Sequence, residues 1–165
     1  MTSFPAKRCL LTSHLLHAGR RWRRLAEAAL ADHGISEACA APLVWLLRLG
    51  GGMRQVTLAY HVGIEGTSLV RLLDQLCEAG LVVRKEDPGD RRAKTLWLTR
   101  EGEQLAERAE RAIAGMRARV LADVNDADIE AALRVLEAIE RADSQLQQGA
   151  FSPSPSNSSL AEVRP

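Results

Sequence analysis

Gly63-Ile-Glu-Gly-Thr-Ser-Leu-Val-Arg-Leu-Leu-Asp-Gln-Leu-Cys-Glu-Ala-Gly-Leu-Val-Val-Arg-Lys85, with Asp87-Pro-Gly-Asp-Arg-Arg-Ala-Lys94 close behind it, decides how the rest of the chain is read. Leu69, Leu72, Leu73 and Leu76 recur at helical spacing and share one side. Thr67, Ser68, Arg71 and Gln75 share the opposite side. Such a helix has an apolar back and a donor-rich, mostly uncharged front, which suits the major groove of a duplex. Leu81–Glu86 reads as a strand and Lys94–Thr99 as its partner, joined by a hairpin loaded with arginine. Helix, strand and basic hairpin together predict a winged helix-turn-helix.

Working outward, Leu11, Leu15, Ala18, Trp22, Leu25 and Ala29 predict a long helix over residues 9–33, with Gly34 as its stop. Ser36 caps a second helix that runs to about Leu49, with Pro42 in its first turns. Gly50-Gly51-Gly52 reads as a flexible break. A short helix from about Arg54 to His61 precedes Gly63, which turns the chain into the reading helix. Asp87-Pro88-Gly89-Asp90 fits a type II turn, with proline second and glycine third. Thr99 caps a helix carrying Leu105, Ala109, Ile113, Met116 and Val120. Asn125 or Asp126 caps a last helix with Ile129, Leu133, Leu136 and Ile139 directed inward. From Gly149 the composition is that of a disordered tail.

Composition narrows the function. The 165 residues are 46% hydrophobic but only 4% aromatic, a bias that favours helices. The expected class is mainly α with a small β-hairpin wing. No apolar run approaches the roughly 20 residues of a membrane span. The start of the chain lacks the apolar stretch of a secretory signal, so the expected location is the cytoplasm. Cys9, Cys39 and Cys77 are odd in number and widely spaced, which argues against a disulfide framework. The sequence has no glycine-rich phosphate loop, serine nucleophile elbow or paired histidine–glutamate zinc signature. No catalysis, cofactor or metal is therefore expected, although His14 and His17 stand three apart on one helix.

Net charge is +1, but it is unevenly spread. Residues 1–34 carry six basic and two acidic groups, residues 54–100 eight and six, residues 101–165 seven and twelve. The basic charge of the middle segment gathers at the wing. Thr67, Ser68, Arg71 and Gln75 are the expected base readers, Arg71 foremost because its planar fork matches the two acceptors of guanine. Arg91 and Arg92 belong to the wing, with Asp90 holding a wing arginine in place. Arg54, Arg84, Lys85 and Lys94 are expected on phosphate, and Gln55 on the DNA backbone. The terminal helices carry apolar stripes outside this small unit, and a lone copy would expose them, so a homodimer is expected.

The motif Gly63-Ile-Glu-x-x-Ser68-Leu-Val-Arg71-x-Leu-Asp-Gln-Leu, then Gly80-Leu-Val, Asp90-Arg-Arg-Ala-Lys94 and Leu98-Thr99, resembles the MarR family of bacterial transcription regulators. The resemblance is strongest to its SlyA-like branch, and Arg20, Trp22, Arg23 and Leu25 extend it. It implies a homodimer in which the first, fifth and sixth helices knit two copies together while two wings straddle a pseudo-palindromic operator. On that pattern residues 37–100 read DNA, residues 1–36 and 101–148 dimerise, and 149–165 form the tail. Repression is the expected mode, relieved by a small aromatic acid or phenol bound between the dimerising and reading regions.

Arg20 is a candidate anchor for such a carboxylate. His14, His17, Trp22, Trp45 and Arg48 are further candidates. Ala38-Cys39-Ala40-Ala41 departs from the bulky pocket residue of relatives and makes a differently shaped pocket. Two alternatives compete. One is a redox switch, since peroxide-sensing members carry a cysteine near the place of Cys9 and Lys7 and Arg8 stand beside it. The other is a helical adaptor that keeps the winged domain for protein contact, against which the paired wing arginines argue.

Overall fold

The computed structural model describes residues 4–147. The chain divides into two compact units at Val120/Leu121. The expected disordered tail, residues 149–165, lies outside the described residues.

The first unit opens with α1, Phe4–Leu30, which starts earlier than its apolar spacing implied and ends in a 3-10 turn, Ala31–His33, closed by Gly34 at φ +67°. Ser36 caps α2, Glu37–Leu49, by accepting a hydrogen bond from the Cys39 amide at 3.3 Å. Then come β1, Met53–Arg54; α3, Gln55–Val62; and α4, Gly66–Glu78. The wing is β2, Val82–Asp87, and β3, Asp90–Leu98. The unit ends with α5, Arg100–Val120. The sheet is antiparallel in the order β1-β3-β2, so the hairpin has a third strand that the sequence did not announce. Two residues are too short to show alternation, and β1 exists because Met53 and Arg54 pair with Leu96 and Thr95.

One apolar cluster joins these elements. Leu43 and Leu46 from α2, Leu58 from α3, and Leu69, Leu73 and Leu76 from α4 pack with Val82, Leu96 and Ala106. Full burial of one such leucine contributes roughly 1.5–3 kcal/mol, so α4 is anchored by its own back face. A smaller cluster of Leu30, Ala40, Val44 and Ala109 ties α1 and α2 to α5.

One turn expectation gains a cause and another is corrected. The Gly50-Gly51-Gly52 break follows a left-handed path laid against Trp97. All three glycines take positive φ, and a Cβ on Gly52 would stand 2.9 Å from the Trp97 ring. Gly52 also donates its amide to the Leu96 carbonyl at 2.8 Å. The wing turn is not type II, because Gly89 lacks the positive φ that this turn needs. Instead the Asp87 carboxylate accepts the Gly89 amide at 2.9 Å.

Thr99 fastens α5 to the end of α4. Its hydroxyl accepts the Gly102 amide at 3.0 Å and donates to the Gly80 carbonyl at 2.7 Å. Gly102 then lies so close to Leu81 that an added Cβ would sit 2.0 Å from the Leu81 carbonyl oxygen.

The second unit is described by α6, Asp126–Gln147. Asn125 caps it, accepting the Asp128 amide at 2.9 Å and donating to the Asp128 carboxylate at 2.7 Å. Leu133, Leu136 and Ile139 are not inward, as their spacing predicted, but exposed in the single chain, with Leu133 at 51%. The stripe is a true helical face, but α6 is the one described element of its unit, and among the described residues of that unit nothing covers it.

Candidate nucleic-acid interface and adjoining cavity

The front of α4 is open. Thr67, Ser68, Arg71 and Gln75 are all exposed, while Leu69, Leu73 and Leu76 are buried behind them and Leu72 is half-buried against the same core. The split follows from one helical turn of spacing and makes the four polar groups a continuous ridge. Arg71 makes no hydrogen bond or ion pair among the described residues, so its guanidinium is free to meet an external acceptor. Gln55, by contrast, is half-buried on α3 and directs its amide to the Gly66 carbonyl at 3.5 Å, bracing α3 against the start of α4.

Most cations around the wing already have partners. Arg54 on β1 clasps Asp87 at 2.8 Å and approaches Asp90 at 3.9 Å. Arg84 pairs with Asp74 of α4 at 2.7 Å, and Lys94 with Glu86 across the hairpin at 3.2 Å. The Lys85 ammonium lies 4.9 Å from the Trp97 ring centroid. Exposed pairs of this kind are worth about 0–1 kcal/mol and exchange readily for another anion. The Asp90 carboxylate accepts the Arg92 backbone amide at 3.1 Å and lies 3.9 Å from the Arg54 guanidinium. Arg92 is exposed, with no carboxylate partner among the described residues, and the Arg91 side chain lies outside them. Asp87 is held below its ordinary pKa of 3.8, first by the Gly89 amide and then by Arg54.

The six candidate ligand residues divide between cavities. Trp22, Trp45 and Arg48 line a cleft of about 330 Å³ formed by α1, α2, the end of α3 and α5. His14, His17 and Trp22 line a second, of about 430 Å³, along α1. Arg20 borders neither; with His17, Arg21, Arg23 and Arg24 it lines a third of about 470 Å³, and its guanidinium donates to His17 Nδ1 at 3.0 Å. Trp22 therefore stands between two cavities, and Arg23 borders two as well. Cys9 is exposed near the start of α1. Among the described residues no three of His, Cys, Asp and Glu converge to hold a metal ion. No described helix is long and apolar enough to cross a membrane.

The 330 Å³ cleft holds residues that sequence reasoning missed: Arg23, Glu37, Val62, Glu110 and Arg117. Glu110 and Arg117 stand seven apart on α5, two turns, so both face the cleft; that spacing was the available signal. Glu110 takes Arg48 at 2.6 and 2.9 Å and lies 3.8 Å from Arg117. The cleft thus offers three guanidiniums against two carboxylates, floored by two indole rings.

Comparison with known proteins agrees with this geometry. Residues 33–93 match the family model of the MarR family. Transcriptional regulator PA3341 is 33% identical, with 84% of this chain and 98% of that one covered and a TM-score of 0.74. CouR from Rhodococcus jostii RHA1 bound to p-coumaroyl-CoA is 28% identical over 78% of this chain and 90% of that one, with a TM-score of 0.71. CouR bound to a 23-mer DNA duplex is 27% identical over 85% and 99%, with a TM-score of 0.68.

Proposed function

The chain belongs to the MarR family of transcription regulators, and on that premise we propose that it is a homodimeric repressor of a pseudo-palindromic operator, released by an anionic aromatic ligand. In this reading α1, α5 and α6 supply the dimer, and residues 37–100 read DNA in the cytoplasm. The density of the Gly63–Leu76 and Asp90–Lys94 motifs supports a place in the SlyA-like branch. The observation that carries the reading is the open ridge Thr67–Ser68–Arg71–Gln75 with an unpaired Arg71 at its centre. Two copies related by a two-fold axis would present two such ridges to successive major grooves.

The test is fluorescence anisotropy with the DNA upstream of its own gene and with a scrambled duplex. Arg71→Ala should weaken specific binding by about 10- to 100-fold, the worth of one bidentate guanine contact, and leave non-specific binding nearly unchanged. An unaltered ratio removes Arg71 from base reading.

The 330 Å³ cleft supports the ligand class: indole faces for an aromatic ring, guanidiniums for a carboxylate. A second reading is favoured by the Arg20, Arg21, Arg23 and Arg24 row beside it. CouR was crystallised with p-coumaroyl-CoA, and four exposed guanidiniums suit the phosphates of such a thioester. Thermal shift with hydroxycinnamic and hydroxybenzoic acids and with their CoA thioesters separates the two. A rise with thioesters alone selects the second reading, and no rise with any compound rejects both.

A further inference from the structure

An unbroken series of ring and charge contacts runs from the floor of the 330 Å³ cleft into α3. The Arg48 guanidinium lies 5.3 Å from the Trp45 ring centroid while held by Glu110. The Trp45 ring stacks on His61, centroids 4.9 Å apart and planes at 29°. Tyr60 meets the His61 ring edge-on at 5.5 Å. Trp45, Arg48 and Glu110 line the cleft; His61 and Tyr60 do not, and belong to the helix that precedes the reader.

We propose that His61 is a positioning residue that transmits the state of the Arg48–Glu110 pair to α3, and through α3 to the reading helix. The physical reason is competition for one guanidinium. Glu110 satisfies Arg48 and also lies within 3.8 Å of Arg117. An anion in the cleft draws Arg48 from Glu110, because guanidinium–carboxylate forks are interchangeable in geometry. Arg48 then leaves the Trp45 face, and the indole loses the cation that fixes its tilt. An offset stack worth about 0.5–1.5 kcal/mol depends on that tilt, so His61 and the end of α3 shift with it. Val62, the next residue, lines the cleft directly and moves with the same backbone. The inference rests on the proposed reading for its consequence at DNA, but the contacts themselves do not.

Removing the Glu110 charge imitates the anion and needs no ligand. Glu110→Gln is compared in the native, His61→Phe and His61→Leu backgrounds, with hydrogen exchange of residues 55–78 as readout and circular dichroism melts confirming a folded state. Glu110→Gln should quicken exchange across α3 several-fold in the native and His61→Phe backgrounds, where a ring still stacks on Trp45. It should do nothing in the His61→Leu background, nor with Trp45→Leu, which breaks the stack from its other side. An equal response in all backgrounds overturns the proposal, and so does no response in the native one. If the exchange pattern holds while the native protein binds no duplex, the DNA reading fails and the transmitting role of His61 stands.

Discussion

The reading helix and the last helix use the same leucine-rich spacing to opposite ends. In α4, Leu69, Leu73 and Leu76 are buried within one chain and the polar face is left exposed. In α6, Leu133, Leu136 and Ile139 keep the chain's apolar surface open. Leu10, Leu11, Leu16 and Leu25 of α1 are exposed as well. The difference separates a region that completes its own core from helices whose apolar faces stay exposed in the single chain. Exposed apolar stripes on this scale are an association signal in a way that single exposed leucines are not.

The comparison can be broken from the reader's side first. Gly102→Ala forces a methyl to 2.0 Å from the Leu81 oxygen, where no flexible side chain can give way. The expected loss is about 3 kcal/mol or more, seen in urea melts as collapse of α4 and the wing together. Breaking α6 should act on assembly instead. Leu133→Glu combined with Leu136→Glu should weaken dimerisation about 1,000-fold or more, at roughly 2 kcal/mol for each lost anchor, in sedimentation equilibrium. The melting of the reader in dilute, monomeric protein should hardly change. If dimers persist unaltered, α6 is not the interface.

The smallest effect sharpens the comparison within the reader. Asp87 has a lowered pKa, so its contribution to the wing turn is complete above 3.8 and fades as pH falls through its lower folded value. Between pH 5 and 8 this carboxylate should add no pH dependence. Carboxylate chemical shifts and wing amide exchange should change together only in acid, and in Asp87→Asn the acid transition of the wing should vanish.

The sequence displayed local causes and hid distant ones. The α4 stripe and the caps Ser36, Thr99 and Asn125 depend on residues within a turn or two, and all were readable. The order in Gly50–Gly52 depends on Trp97, far along the chain, whose ring needs the absence of side chains there. β1 is a strand only because β3 offers it partners. Pro88-Gly89 suits a type II turn by itself, and the Asp87 carboxylate overrides it. That Thr67, Ser68, Arg71 and Gln75 form one exposed ridge was legible in full. Which cations stay unpaired was not, because Asp74, Glu86 and Asp87 are brought to Arg84, Lys94 and Arg54 by the fold. The cleft was legible in part: Trp22, Trp45 and Arg48 meet there, whereas Arg20 faces another way along α1.

The near-contact at Gly102 has a mechanical meaning. A stiff rod of 21 residues, about 31 Å long, is seated bone-on-bone against the segment leaving the reader, with no side chain between them to act as a cushion. Each degree of tilt displaces the rod's far end by about half an ångström. The seat lies near the start of the rod, so the close fit at Gly102 sets the direction in which its far end points.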